Sequence, residues 1–277
     1  MWRASHRTWI AVAVTVLTVL GGTLENPRPA TAFNVRARNA GAYNPDTGEW
    51  LYAQSIDTQV PVASLTKLAA ALTFLRLDGD LDGTITVTRE DWTHVGRTRL
   101  RPGDRVPART LLKLALVSSD NCAARALTHP FGLTYEAYGY RMQETAHQLG
   151  CRNSVFVEPT GLDERNESTA REVVLLFAAA LRHPLLREFL GTRKFELETR
   201  RGPRTIVHSS RLLRARDEIL AAKTGYIDEA GYCMVEAVSD PGGEFITVVL
   251  GAPTKRARTW ESMKLIDHVR RARKKQF

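Results

Sequence analysis

The chain has 277 residues, room for one large domain or two small ones. Apolar residues make up 43% and charged residues 25%, a globular composition that excludes a disordered chain, a collagen-like repeat and a multi-span membrane protein. The net charge of +9 leaves nucleic acid, an anionic membrane face or an acidic polymer open as partners, and three cysteines are too few for a disulfide scaffold.

Taken from the N-terminus, residues 1–32 read as an export signal. Arg3 and Arg7 give the positive start, Thr8 to Leu24 is uncharged with its most apolar part from Trp9 to Leu20, and Ala30-Thr31-Ala32 is a small-x-small cleavage site. The expected mature chain is 33–277, still basic; the alternative is an uncleaved membrane anchor. Either way the folded part works outside the cytoplasm, with the periplasm of a Gram-negative bacterium or the wall space of another bacterium as its setting. Cys122, Cys151 and Cys233 stand in apolar surroundings and read as three buried thiols, against one disulfide with a thiol left over. No Cys or His spacing suits a metal, so neither metal nor cofactor is expected.

In the mature chain, Val35–Tyr43 and Glu49–Ala53 read as a hairpin around Asn44-Pro45-Asp46-Thr47-Gly48. Leu65, Leu68, Leu72 and Leu75 predict a helix, and residues 80–107 are turn-rich with a short strand at Thr84–Val87. Further helices are expected over Thr110–Val117, Asp120–Leu127, Tyr135–Leu149 and Thr169–Leu181. Strands follow at Glu218–Thr224, Gly231–Val238 and Glu244–Leu250, the last two joined by Pro241-Gly242-Gly243 as an antiparallel pair. A closing helix starts near Thr254 with Ala257, Trp260, Met263 and Ile266 as its apolar residues. This order predicts an α+β fold: an antiparallel sheet built from both ends of the chain, flanked by helices, with a mostly helical lobe inserted in the middle.

Three short motifs carry the chemistry: Ser64-Leu65-Thr66-Lys67, Ser119-Asp120-Asn121 and Lys223-Thr224-Gly225. Each alone is weak, but S-x-x-K, S-D-N and K-T-G in this order form the signature of penicillin-binding proteins and class A β-lactamases. At i and i+3 on a helix, Ser64 and Lys67 share a face. A serine needs a base, and Lys67 serves only when neutral, which about one lysine in 2,500 is at pH 7 when unperturbed. Desolvation and a nearby cation, for which Lys223 is the candidate, would lower its pKa. Ser119 and Asn121 can face one cleft, the first relaying a proton and the second holding the substrate amide and Lys67. Lys223 can attract the terminal carboxylate of a substrate, and Thr224 beside it is a further substrate-binding candidate. Gly225, lacking a side chain, lets a substrate backbone add to the strand edge. The backbone N–H groups of Ser64 and Tyr226 are candidate oxyanion donors.

Beyond these motifs, the stretch from Asp46 to Gly251 resembles the low-molecular-mass serine D-Ala-D-Ala carboxypeptidase and endopeptidase family. Val62-Ala63 before Ser64, Leu111–Leu116 leading into Ser118, and Ala230-Gly231-Tyr232-Cys233 carry the resemblance. Phe156-Val157-Glu158-Pro159-Thr160-Gly161-Leu162 looks most like the D-alanyl-D-alanine endopeptidase branch. The resemblance implies a β-lactamase/transpeptidase-like fold and a serine acyl-enzyme hydrolase acting on peptidoglycan stem peptides. In it Ser64 carries the acyl group, Lys67 accepts its proton, Ser119 assists and Lys223 binds substrate, with β-lactams as covalent inhibitors.

Two rivals stand beside it. A class A-like β-lactamase needs a carboxylate to activate the deacylating water, and Glu158 is the candidate, read here as a loop carboxylate without that role. A non-catalytic β-lactam or peptidoglycan sensor is disfavoured because all three motifs are intact. Nucleic acid is not an expected partner. The basic tail Arg270, Arg271, Arg273, Lys274 and Lys275 reads as a solvated terminus offering at most a weak membrane or sacculus contact.

Overall fold

Strand β1 (Asn39–Asn44) turns into β2 (Glu49–Gln54) through a loop in which Asn44 Oδ1 accepts from the Asp46 N–H at 3.0 Å. The turn closes at Gly48, whose φ of +75° is a left-handed value open to glycine. This is the expected hairpin, although β1 begins at Asn39 rather than Val35. The computed structural model describes residues 33–200 and 202–274, so the expected signal peptide lies outside the described residues. No helix among the described residues is long and apolar enough to cross a membrane.

After β3 (Val60–Pro61) comes a 3₁₀ turn, Ala63–Thr66, that runs into α1 (Lys67–Arg76). The inserted lobe follows as β4 (Thr84–Thr86), α2 (Arg89–Trp92), β5 (Arg105–Pro107), α3 (Ala108–Val117), α4 (Asn121–Ala126) and α5 (Tyr135–Gln148). It continues through β6 (Glu167–Ser168), α6 (Ala170–Arg182) and α7 (Pro184–Gly191). Leu68, Phe74, Leu111, Leu112, Tyr138 and Phe177 meet in one buried cluster, each contributing roughly 1.5–3 kcal/mol of apolar burial. The Tyr138 hydroxyl donates to the Ala70 carbonyl at 2.9 Å, so its burial strands no polar group.

A hairpin of β7 (Lys194–Leu197) and β8 (Arg204–Val207) leads through α8 (Arg211–Ala215) to β9 (Ile219–Ile227), β10 (Gly231–Asp240), β11 (Gly243–Ala252) and α9 (Lys255–Lys274). The main sheet runs β2-β1-β11-β10-β9, antiparallel throughout, so both ends of the described chain meet at β1 and β11. The strand alternation divides its faces. Val235, Ala237, Ile246, Val248 and Leu250 join the lobe's core. Met234, Glu236 and Phe245 alternate with these residues and turn toward α9, where Ser262 Oγ donates to Glu236 at 2.6 Å and Arg273 lies over the Phe245 ring.

Two readings of this last helix are corrected. The buried face of α9 is Arg258, Glu261, Ser262, Leu265, Ile266 and Val269, whereas Trp260 is 61% exposed. The helix is rotated from the expected phase because polar Ser262 and Arg258 bond into the sheet, to Glu236 and the Cys233 carbonyl. The basic tail is also only partly solvated. Arg270 donates to the Ser239 carbonyl at 2.8 Å and Arg273 pairs with Asp240 at 3.0 Å, while Arg271 and Lys274 are exposed.

Candidate active site

All three motifs converge where the 3₁₀ turn meets the edge of β9. Ser64 lies in that turn, one step before α1 rather than in the first turn of an α-helix, and is partly exposed. The i to i+3 relation still holds: Lys67 Nζ sits 3.0 Å from Ser64 Oγ. The amine also donates to Asn121 Oδ1 and to the Thr160 carbonyl, each at 2.6 Å. Burial, which disfavours the ammonium, lowers the Lys67 pKa to about 7. Glu158 and Asp120 pull the other way, and Arg125 adds to the lowering. The sequence reading named desolvation and a nearby cation, Lys223; desolvation leads, because the amine is enclosed between α1, α4 and the 158–162 loop, and the cation that adds to it is Arg125 instead of Lys223.

Ser119 takes φ +61°, a left-handed conformation rare outside glycine, which places it between α3 and α4. Asp120 then caps α4, Oδ1 accepting from the Ala123 N–H at 3.0 Å and Oδ2 from Thr98 Oγ1 at 2.7 Å. Thus the middle residue of the motif is structural while its neighbours face the cleft. Asn121 Nδ2 donates to the Val95 carbonyl at 2.9 Å, which fixes its oxygen toward Lys67. From β9, buried Lys223 donates to Ser119 Oγ and to the Thr224 carbonyl, both at 2.8 Å. Its pKa is also pushed well below the usual lysine value, by burial first and by Lys67 second. Thr224 Oγ1 donates to Ser209 Oγ at 2.9 Å.

Gly225 has a more demanding role than an open strand edge. A Cβ there would lie 3.0 Å from both the Ser64 nitrogen and the Val62 carbonyl oxygen, so β9 lies directly against the Ser64 backbone. Tyr226 follows at the exposed end, stacked on Tyr232 with ring centroids 4.2 Å apart and its hydroxyl bonded to Asp228.

Sequence reasoning missed the contribution of the 158–166 loop to the site. Glu158 Oε1 accepts from the N–H groups of Gly161 (2.6 Å) and Leu162 (3.1 Å) and from Asn166 Nδ2 (2.8 Å). Its Oε2 accepts from the Thr160 N–H (2.7 Å) and Oγ1 (2.6 Å). Five donors fill the capacity of one carboxylate, and the resulting knot aims the Thr160 carbonyl at Lys67. Gly161, at φ +76°, makes the approach possible: a Cβ would stand 2.0 Å from the Ala63 carbonyl oxygen. The motif Glu-Pro-Thr-Gly was visible in the sequence, but a backbone carbonyl leaves no residue-type signal.

The three cysteines are free and buried, as expected. Burial pushes the Cys122 thiol up to about 12, which favours the protonated form near neutral pH. His208, before Ser209, is buried and held neutral, its pKa lowered to about 3 by burial and by Lys223.

A serine hydroxyl 3.0 Å from a buried amine of lowered pKa, with a second serine–lysine pair opposite, on a sheet carrying an inserted helical lobe, is an arrangement with the chemistry for serine–lysine acyl transfer. The comparisons give the family. The D-alanyl-D-alanine carboxypeptidase model of peptidase family S11 matches residues 25–254, and the chain belongs to that family. It is 34% identical over 195 residues to a D-alanyl-D-alanine endopeptidase of Pseudomonas aeruginosa, covering 69% of this chain and 63% of that protein. A D-alanyl-D-alanine endopeptidase of Escherichia coli is 33% identical over 231 residues, 78% of this chain and 74% of its own. The match therefore spans less than two thirds of the Pseudomonas relative. The Streptomyces K15 DD-transpeptidase structure superposes with a TM-score of 0.80 at 25% identity, over 87% of this chain and 99% of that one. A D-alanyl-D-alanine carboxypeptidase from Mycobacterium tuberculosis shares the fold at a TM-score of 0.81 and 24% identity, over 89% and 95%.

Proposed function

We propose that this chain is an exported serine DD-peptidase that hydrolyses D-Ala-containing bonds of peptidoglycan stem peptides through an acyl-enzyme on Ser64. The observation that carries the reading is the 3.0 Å approach of Ser64 Oγ to an amine lowered to about 7. In its neutral form Lys67 has two N–H bonds, which Asn121 Oδ1 and the Thr160 carbonyl accept, leaving its lone pair for the Ser64 hydroxyl proton. Ser64 attacks the substrate carbonyl, whose developing oxyanion meets the backbone N–H groups of Ser64 and Tyr226. Ser119, bonded to Lys223, passes a proton to the departing amine. Lys223 and Thr224 receive the substrate carboxylate, and Asn121 holds the substrate amide. Water then releases the acyl group. A β-lactam follows the same first step and stays on Ser64. None of these steps calls for a metal or cofactor.

Cross-link cleavage is the preferred activity in this reading, with D-Ala-D-Ala trimming alongside it. The relatives named endopeptidase and the Phe156–Leu162 segment support that preference. The β-lactamase alternative is disfavoured by Glu158, whose lone pairs are engaged within its own loop and are not free to activate water. The setting is the periplasm of a Gram-negative bacterium, reached through the 1–32 signal. Digestion of purified muropeptides followed by mass spectrometry tests the reading. Loss of dimers marks endopeptidase action, and shortening of pentapeptides to tetrapeptides marks carboxypeptidase action. No product from either would overturn it in favour of a sensor.

A further inference from the structure

A groove of about 930 Å³ runs between α8 and the first half of α9, on the side of β9 away from the lobe. Arg211 and Arg214 from α8 and Lys255 and Arg256 from α9 line it, all four exposed. Among the described residues no carboxylate lines the groove, and none of these four cations has an ion-pair partner. A fifth, Arg216, is neutralised by Glu218 at 2.8 Å. Trp260 and Met263, the residues that hydrophobic periodicity would place in the core, lie here instead, and Trp260 is 61% exposed.

Unpaired cations in a concave wall reinforce one another's field and favour an anion. Guanidinium groups pair with carboxylates in a bidentate geometry, and an exposed indole offers a flat apolar face suited to a sugar ring. The concavity fits a strand better than a flat bilayer. The place in the chain also matters. The helix α8 begins two residues after Ser209, whose hydroxyl is bonded to Thr224, so the segment that leaves the cleft runs directly into one wall of the groove.

We propose that this groove is an exosite for an acidic glycopeptide strand: a polysaccharide with carboxylate-bearing peptides, gripped away from the bond to be cut. The choice of strand rests on the serine DD-peptidase reading, whereas the anion-binding groove stands on its own residues. The exosite would hold the enzyme on insoluble polymer and contribute nothing to turnover of a small fragment.

The test uses the purified protein, a triple variant (Arg211→Glu, Arg214→Glu, Arg256→Glu) and Trp260→Ala, measured by co-sedimentation with purified sacculi and by turnover of soluble cross-linked muropeptides. The triple variant is expected to bind sacculi about tenfold or more weakly, and Trp260→Ala severalfold more weakly. Both keep soluble turnover within about twofold, because neither touches the cleft. Wild-type binding should weaken as salt shortens the screening length from about 10 Å at 0.1 M to about 3 Å at 1 M. Variants that sediment like wild type would overturn the proposal. So would wild-type protein that binds phosphatidylglycerol vesicles or single-stranded DNA and not sacculi. Absent soluble turnover in the wild type would count against the peptidase reading alone, since sacculus binding still judges the groove.

Discussion

Replacing Asn121 by aspartate should move the pH dependence of Ser64 acylation without abolishing it. In the wild type, burial sets Lys67 near 7, so about half the amine is neutral at pH 7, against about one in 2,500 for an unshifted lysine. The environment therefore supplies about a thousandfold more free base. Asn121→Asp puts a carboxylate at a position 2.6 Å from Nζ, which should raise the Lys67 pKa by about 1–3 units. Acylation at pH 7 then falls about tenfold or more and recovers as pH rises past the new midpoint. Stopped-flow acylation with a fluorescent penicillin, from about pH 5 to 10, reads both midpoints. A wild-type limb centred near the ordinary lysine value would refute the role of burial. An Asn121→Asp limb that stays at the wild-type midpoint, lowered equally at every pH, would refute the coupling to Lys67. The same shift has a stability counterpart. Between about 7 and 10.5 the unfolded chain holds the Lys67 proton and the folded chain does not, so this group's contribution to stability improves as pH rises, by up to about 5 kcal/mol.

Four further outcomes are expected. Ser119→Ala should lower kcat by about a hundredfold or more with little change in melting temperature, since it removes a proton relay and one acceptor of Lys223; steady-state kinetics and thermal melts check both. Gly161→Ala should destabilise by more than about 2 kcal/mol, because its Cβ would overlap the Ala63 carbonyl, while Gly132→Ala, also left-handed but with nothing within 4 Å, should cost only about 1–2 kcal/mol in a denaturant titration. Glu158→Gln should loosen the Thr160 carbonyl and cut acylation severalfold, whereas a deacylating base at Glu158 would instead make the penicillin adduct longer-lived. Glu236→Gln should raise the melting temperature above pH 7: burial lifts the Glu236 pKa to about 7, so the folded carboxyl holds a proton that the unfolded one releases, and its contribution declines as pH rises from about 4.5 to 7.

Much of the site was legible because its proposed chemistry needs particular side chains at fixed spacing: Ser64 to Lys67 across one turn, Ser119 to Asn121 around a cap, Lys223 to Gly225 along a strand. The sheet from both chain ends was legible because β1, β10 and β11 are apolar runs bounded by turn residues. What failed to show were contacts made by backbone or by buried polar groups. The Thr160 carbonyl has no sequence signature. The phase of α9 was misread because Arg258, Glu261 and Ser262 point inward and bond to the sheet and the N-terminal segment, which an apolar-stripe reading treats as surface. The helix α7 and the β7–β8 hairpin went unread because short elements carry too few periods to register.

The central claim is an acyl-enzyme on Ser64, and intact-protein mass spectrometry after brief exposure to benzylpenicillin tests it most directly. The account predicts one added penicilloyl mass, mapped by peptide digestion to the segment holding Ser64, long-lived, and absent in Ser64→Ala. Rapid penicillin hydrolysis with no retained adduct, or an adduct that persists in Ser64→Ala, would contradict it.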